Sequence, residues 1–263
     1  MAPTYKTVTI PYLPPKIKKS LDGKSVIPVQ LGHSNASVYQ VKASGTEWYL
    51  KIERQNEAFT REQQIMAWLK GKLPVPDIIM RCEENGYDFL LMTKAPGEMA
   101  CSDRMLKEPQ QMVQALADGI KRLHQVNISD CPYHFSLDTK LKLAYERILR
   151  GEVSMKDWEL DNDFASPEAL YAYLAANKPV EAPVFTHGDY CLPNIFITGN
   201  RATGYIDLGR AGVADMWQDI ALCIRSLTHN LNTTAYHQLF FEVLGVVPDD
   251  EKIKYYILLD ELF

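Results

Sequence analysis

The sequence predicts an α+β protein with a small β-rich lobe followed by a larger helical one, on three observations. Its first third is dense in Val, Ile and Tyr runs divided by Gly- and Ser-containing turns. A single stretch of helical period interrupts those runs. Beyond "KAPGE" (94–98) the short runs give way to long amphipathic segments. The expected lobes are residues 1–94 and 95–263, with a cleft between them.

In order, "SVIPVQL" (25–31), "SVYQVKA" (37–43) and "EWYLKI" (47–52) read as strands, separated by "GHSNA" and "SGT". "AFTREQQIMAWLKGK" then reads as a helix over 57–70, and "LPVP" ends it because proline cannot extend a helix. "DIIMRC" and "YDFLLMT" are two further strands, with "ENG" between them as a hairpin signal. "PQQMVQALADGIKRLHQV" and "SLDTKLKLAYERILRG" are amphipathic helices. "SPEALYAYLAANKP" is a third, with Ser166 as N-cap, Pro167 in the first turn and Pro179 beyond its end. Short apolar runs follow, and then three helical stretches over 214–230, 233–244 and 249–262. The first twenty residues, including "YLPPKIKKS", read as lead-in without an assigned element.

With 263 residues the chain can bury a substantial core, and 46% apolar with 23% charged residues is an ordinary globular balance. A formal net charge of −5 without a dense Lys/Arg cluster gives no support to nucleic-acid binding; mild acidity suits a cationic small molecule better. Five scattered cysteines (82, 101, 131, 191, 223), none in a C-x-x-C pair, speak against a disulfide framework or zinc site and suit a reducing compartment. The start lacks the apolar core of a secretion signal, and no run has membrane-spanning length. The expectation is a cytoplasmic protein without membrane, nucleic-acid or obligate protein partners.

Two constellations stand out. Lys51 in "WYLKIE" would alone be a solvated strand lysine. Glu62, however, shares a helical stripe with Ile65, Met66 and Leu69, so it needs a buried partner, and Lys51 is the nearest candidate. Upstream, "LGHSNASVY" is a hairpin turn whose small residues, Gly32, Ser34, Ala36 and Ser37, would let N–H groups approach a phosphate, although no P-loop motif occurs.

The second constellation is "HGDYCLPN" (187–194) followed by "GYIDLGRAG". Its His, Asp and Asn residues are either turn formers or one site split across two loops. Phosphoryl transfer requires Mg²⁺ on the nucleotide's phosphates, and Mg²⁺ takes hard oxygen donors. Asn194 and Asp207 could supply two, at opposite ends of a strand pair, leaving Asp189 clear of the metal to deprotonate an attacking hydroxyl.

These residues closely resemble the aminoglycoside 3′-phosphotransferases, kanamycin kinases related to the protein-kinase fold. The resemblance is carried by "YLKI", "REQQIMAWLKGKLPVP", "NISDCPY", "THGDYCLPNIF", "GYIDLGRAGVADMWQDIALCIRSL" and "KIKYYILLDELF", and it runs from about Leu31 to Phe263. It implies a protein-kinase-like two-lobe fold and transfer of the ATP γ-phosphoryl group, with Mg²⁺, to the 3′-hydroxyl of kanamycin- or neomycin-type antibiotics. Within it Lys51 would hold phosphates with Glu62 behind it, Ser34 would sit in the covering loop, and Tyr49 would stack on adenine. Met92, Thr93 and Ala95 would form the hinge, and Ile206 belongs to the same nucleotide set. Asp189 would be the acid/base, Asn194 and Asp207 the metal ligands, and Asp219 the brace of the catalytic loop.

On the substrate side the resemblance implies Glu159, Asp260, Glu261 and the terminal carboxylate of Phe263, with Arg210 and Arg225 holding carboxylates in place. "KYYILL" is too apolar to fray, so the terminus is expected to dock as a helix. Lys156, Leu192 and His229 depart from acids common in the family and bear on the number of pocket charges. The same fold could instead phosphorylate a macrolide, choline or a sugar. A non-catalytic nucleotide-binding scaffold is disfavoured because Lys51, Asp189, Asn194 and Asp207 are all present.

Overall fold

A computed structural model describes residues 12–29, 36–43, 45–158 and 164–263. The Ser34 turn, the last two positions of the strand expected over 25–31, and Glu159 fall outside them.

The N-terminal lobe opens with a short helix, α1 (Pro15–Leu21), where no element was assigned. Only Ile17 and Leu21 of its seven residues are buried, too few to register as a periodic stripe. Five strands follow: β1 (Ser25–Val29), β2 (Ser37–Ala43), β3 (Thr46–Arg54), β4 (Ile78–Glu84) and β5 (Tyr87–Thr93). They form an antiparallel sheet in the order β1-β2-β3-β5-β4. Pro28 sits in the edge strand β1, where its missing N–H breaks no interior ladder. The expected hairpin is present, with Asn85 and Gly86 both at positive φ (53° and 77°), as a two-residue β-turn of that hand requires.

Side-chain alternation sorts the two faces of this sheet. Leu50, Ile52, Phe89 and Leu91 pack outward with Tyr39 and Val41 beneath α1. Leu90, Met92 and Tyr49 point inward to the main core, as does α2 (Glu57–Leu69) through Phe59, Ile65, Met66 and Leu69. Asn56 caps α2 by accepting the Phe59 N–H at 2.8 Å.

A two-residue strand, β6 (Glu98–Met99), leads into the C-terminal lobe. It carries helices α3 (Asp103–Leu106), α4 (Pro109–His124), α5 (Leu137–Leu149) and α6 (Pro167–Ala176). Then come the strands β7 (Pro183–Thr186), β8 (Ile195–Thr198), β9 (Arg201–Tyr205) and β10 (Gly212–Asp215). Helices α7 (Trp217–Leu231), α8 (His237–Leu244) and α9 (Asp250–Asp260) close the chain. β6-β8-β9 form one small sheet and β10-β7 another. The core runs without interruption from α2 through α4 (Met112, Leu116, Ile120) to α7 and α9, so the lobes meet over an apolar contact.

Two expectations need correction. The helix expected from residue 214 begins at Trp217, because Gly212–Asp215 pair with β7 and leave Ala214 and Asp215 extended. A ladder to a neighbouring strand outweighs the helical preference of two residues. The stretch over 233–244 is likewise helical only from His237. The C-terminus docks as expected, with Tyr255, Tyr256, Leu258 and Leu259 buried on α9.

Candidate active site

Lys51 projects from the inner face of β3 and is 7% exposed. Its Nζ lies 2.8 Å from Glu62 Oε2 on α2 and 2.6 Å from Asp207 Oδ1 in the other lobe. Burial works against the ammonium charge, but the Glu62 and Asp207 carboxylates more than offset it and raise the Lys51 pKa. Glu62 is 3% exposed, so the helix-stripe acid has the strand partner its position demanded.

Asp207 follows β9 in the left-handed backbone region (φ 57°, ψ 50°), uncommon for non-glycine residues though Asp is among those that adopt it. That turn leaves its carboxylate 44% exposed, with Oδ1 on Lys51. Asn194 ends a short 3₁₀ turn (Leu192–Asn194), and its carbonyl accepts the N–H of Ile206 at 3.1 Å, tying the two loops together. Asn194 Nδ2 donates 3.0 Å bonds to the carbonyl and to Oδ2 of Asp189, which leaves the amide oxygen available for a ligand. Cys191 Sγ donates to the other Asp189 oxygen at 2.6 Å. The base candidate is thus held by one side chain on each oxygen.

The loop carrying Asp189 is fixed from behind. Asp219, fully buried on α7, accepts the N–H groups of His187 (2.7 Å) and Gly188 (2.9 Å). Burial raises its carboxyl, while His187 and the two N–H bonds pull the other way. Gly188 has φ 82°, and a Cβ there would collide with the backbone carbonyl of Arg210, so only glycine fits the bend.

On the base side of the cleft, Tyr49 and Met92 are register partners on adjacent strands, on the same face as Lys51. Thr93 N–H is taken by the Asp77 carbonyl (3.0 Å) and its hydroxyl accepts from Asp77 N–H (2.9 Å). The Thr93 N–H is therefore occupied within the lobe, while among the described residues its O–H remains free to donate. Ala95 is 4% exposed, and its N–H has no partner among the described residues. Ile206 is half-buried beside Asp207.

The C-terminal residues converge on the same region. Arg210 Nη1 meets Asp260 Oδ1 at 2.9 Å, and Arg225 pairs with Asp260 Oδ2. Burial would raise the Asp260 carboxyl, but the two guanidiniums overcome it and hold it below the usual carboxylate range. Arg147 donates to the carbonyls of Leu262 (3.0 Å) and Phe263 (2.9 Å), and Trp158 Nε1 to that of Glu261 (3.0 Å). Leu192, expected to affect pocket charge, is fully buried in the core instead, while Lys156 and His229 are exposed.

Sequence reasoning missed three groups here. Cys191 was read only for compartment. Lys140 and Gln218, bonded to each other at 2.7 Å, lie behind Gly188, which gives a weak 3.5 Å carbonyl contact to Gln218 Nε2. Lys140 could have been found: it sits on a buried stripe with Leu137, Leu141 and Ala144, the argument that singled out Glu62.

A five-stranded sheet with a helix on each face, set on a helical lobe and bridged by a strand lysine, defines a kinase-like architecture. The chain belongs to the phosphotransferase enzyme family, whose model matches residues 25–256. It is 41% identical over 260 residues to an aminoglycoside 3′-phosphotransferase of Enterococcus faecalis, covering 95% of this chain and 97% of that one. A crystal structure of an aminoglycoside 3′-phosphotransferase of type VIII superposes with a TM-score of 0.80 at 28% identity, over 92% of this chain and 94% of that one. An aminoglycoside phosphotransferase from Streptomyces rimosus in complex with ADP and streptomycin superposes with a TM-score of 0.76 at 25% identity, over 90% and 92%.

Proposed function

We propose that the protein transfers the γ-phosphoryl group of ATP to the 3′-hydroxyl of kanamycin- and neomycin-type aminoglycosides in the cytoplasm, conferring resistance to them. The observation that carries this reading is the junction of Lys51, Glu62 and Asp207 across the lobes, one loop away from Asp189 and Asn194. We place the division of the lobes at residues 94 and 95, where the large sheet ends and β6 pairs with the C-terminal lobe.

Lys51 holds the α- and β-phosphates, steadied by Glu62. Ala95 offers its N–H to the edge of the adenine, with Met92 supplying hinge backbone and Tyr49 and Ile206 bounding the base; Ser34 covers the phosphates. Asn194 and Asp207 fit Mg²⁺, since each keeps an oxygen outside its present hydrogen bonds and both are hard donors. When bound, the ion neutralises the phosphate oxygens. Asp189 accepts the proton of the attacking hydroxyl as its oxygen bonds to the γ-phosphorus; the bridging bond to the β-phosphate breaks and its electron pair leaves with ADP. Asp260, ordered by Arg210 and Arg225, receives the amino-sugar together with Glu261, Phe263 and Glu159.

The test is incubation with Mg-ATP and kanamycin A, with the phosphate located by NMR and erythromycin and choline run beside it. A 3′-phosphate on kanamycin alone is the expected product. Phosphorylation of erythromycin or choline in its place would move the protein to another branch of small-molecule kinases.

A further inference from the structure

Three carboxylates stand in a row across the N-lobe sheet, on the face that carries Lys51. Glu53 in β3 is the register partner of Asp88 in β5, and Asp88 is the partner of Glu83 in β4. Like charges directly opposite one another destabilise a sheet. The middle acid is the worst placed: Asp88 is 2% exposed, and its Oδ1 is buried without a hydrogen-bond partner. Its neighbours are served elsewhere, Glu53 by Asn56 Nδ2 at 2.9 Å and Glu83 by Arg81, with Gln55 Nε2 at 3.4 Å. Burial and then the Glu83 charge raise the Asp88 carboxyl, against the pull of Arg81.

Asp88 opens onto a 490 Å³ groove between this sheet edge and the start of α2. Glu57, Arg61, Glu83 and Tyr133 also line it. Arg61 is engaged by Glu57 at 3.1 Å and by the Gly209 carbonyl, and Arg81 by Glu83, so among the described residues no cation is bonded to Asp88. Tyr133 turns its hydroxyl to Gln64, and its ring can form an aromatic wall beside the acids. An ammonium group brings both the missing donor and the missing charge.

We propose that this groove, which shares Asn56, Glu57 and Arg61 with the pocket of Arg210 and Asp260, binds a primary ammonium group of a multiply charged amine at a subsite of its own centred on Asp88. Two sources share that chemistry, a polyamine or an aminoglycoside. Only the aminoglycoside arm rests on the function proposed above. Titration calorimetry of the protein loaded with Mg-ADP separates them, with spermidine and kanamycin A added in separate runs. Wild type should bind kanamycin at two sites, or spermidine at a site that kanamycin does not fill. In Asp88→Asn the groove site should weaken at least tenfold, while the cleft site and kcat stay within twofold. Glu53→Gln, which keeps the Asp88 carboxylate, should weaken it less and guards against a folding defect. Equal affinity of the groove for both amines in wild type and Asp88→Asn, or no second site at all, overturns the proposal. If kanamycin fails at every site while spermidine still binds and depends on Asp88, the aminoglycoside reading falls and this one stands.

Discussion

Two charge clusters flank the catalytic loop, and they are near mirror images. Between the lobes one cation, Lys51, sits between two acids, Glu62 and Asp207. At the C-terminus one acid, Asp260, sits between two cations, Arg210 and Arg225. The difference lies in what each leaves over. Asp207 is 44% exposed with one oxygen bonded, so the first cluster has a surplus negative charge facing the cleft. Asp260 is 13% exposed with both oxygens bonded, so the second closes on itself. Buried charges need partners in either case. The first cluster keeps an open oxygen toward the cleft, while the second uses both oxygens of its acid to fix the C-terminal residues in place.

The largest effect should come from the acid facing the open cluster. Asp189→Ala is expected to lower kcat about 10²–10⁴-fold, read in a coupled ADP-release assay, with nucleotide affinity nearly unchanged. Wild-type turnover in that variant would remove the base. The clusters themselves are separated by a matched pair of variants. Lys51→Met strands two acids, and Asp260→Asn removes the carboxylate that Arg210 and Arg225 share, so each should lose stability, by up to roughly 3–5 kcal/mol for the buried Lys51 cluster. Only Lys51→Met should also lose nucleotide affinity, because only the open cluster receives phosphate. Equal loss of nucleotide binding in both would dissolve the distinction.

Much of this was legible in sequence because buried charge breaks a pattern. Glu62 on an apolar stripe announced its partner, and Lys51 proved to be 2.8 Å away. The order of Asp189, Asn194 and Asp207 was readable because two loops at the ends of one hairpin must stay close. Other features were opaque for physical reasons. α1 buries two side chains, so its period is too faint to see. β10 depends on a partner strand thirty residues upstream, which local propensity cannot register. The groove at Asp88 depends on strand register, and "YDFLLMT" shows an acid at a strand start without showing what lies opposite it.

A smaller effect would sharpen the account of the closed side. Lys140 is buried behind Gly188, and burial lowers its pKa to about 8 from an ordinary 10.5, despite the attraction of Asp219, Asp260 and Glu181. Below pH 8 both folded and unfolded chains carry the proton, and the folded state bears the full cost of the buried charge. Between pH 8 and 10.5 the unfolded chain holds the proton and the folded chain does not, so this group's contribution to stability rises with pH. The difference between wild type and Lys140→Met should therefore move in favour of wild type across that window. The total movement should be about 3 kcal/mol at most. Losing the hydrogen bond to Gln218 adds an offset that does not vary with pH, so the slope of chemical denaturation midpoints against pH is the readout. A flat difference would mean that Lys140 is charged throughout.

The smallest effect tests how the open cluster is aimed. Asn56 caps α2 through Phe59 N–H, two turns before Glu62, and its Nδ2 also holds Glu53. Asn56→Ala should cost about 0.5–2 kcal/mol, because the N-terminal donors of the helix lose their acceptor. If α2 aims Glu62 at Lys51, the fraying should raise KM for ATP modestly while leaving KM for kanamycin alone. The closed cluster predicts that split, since its Asp260 is tied to Arg210 and Arg225 and not to α2. A kanamycin KM that rises as much as the ATP KM would show that the two clusters are mechanically one.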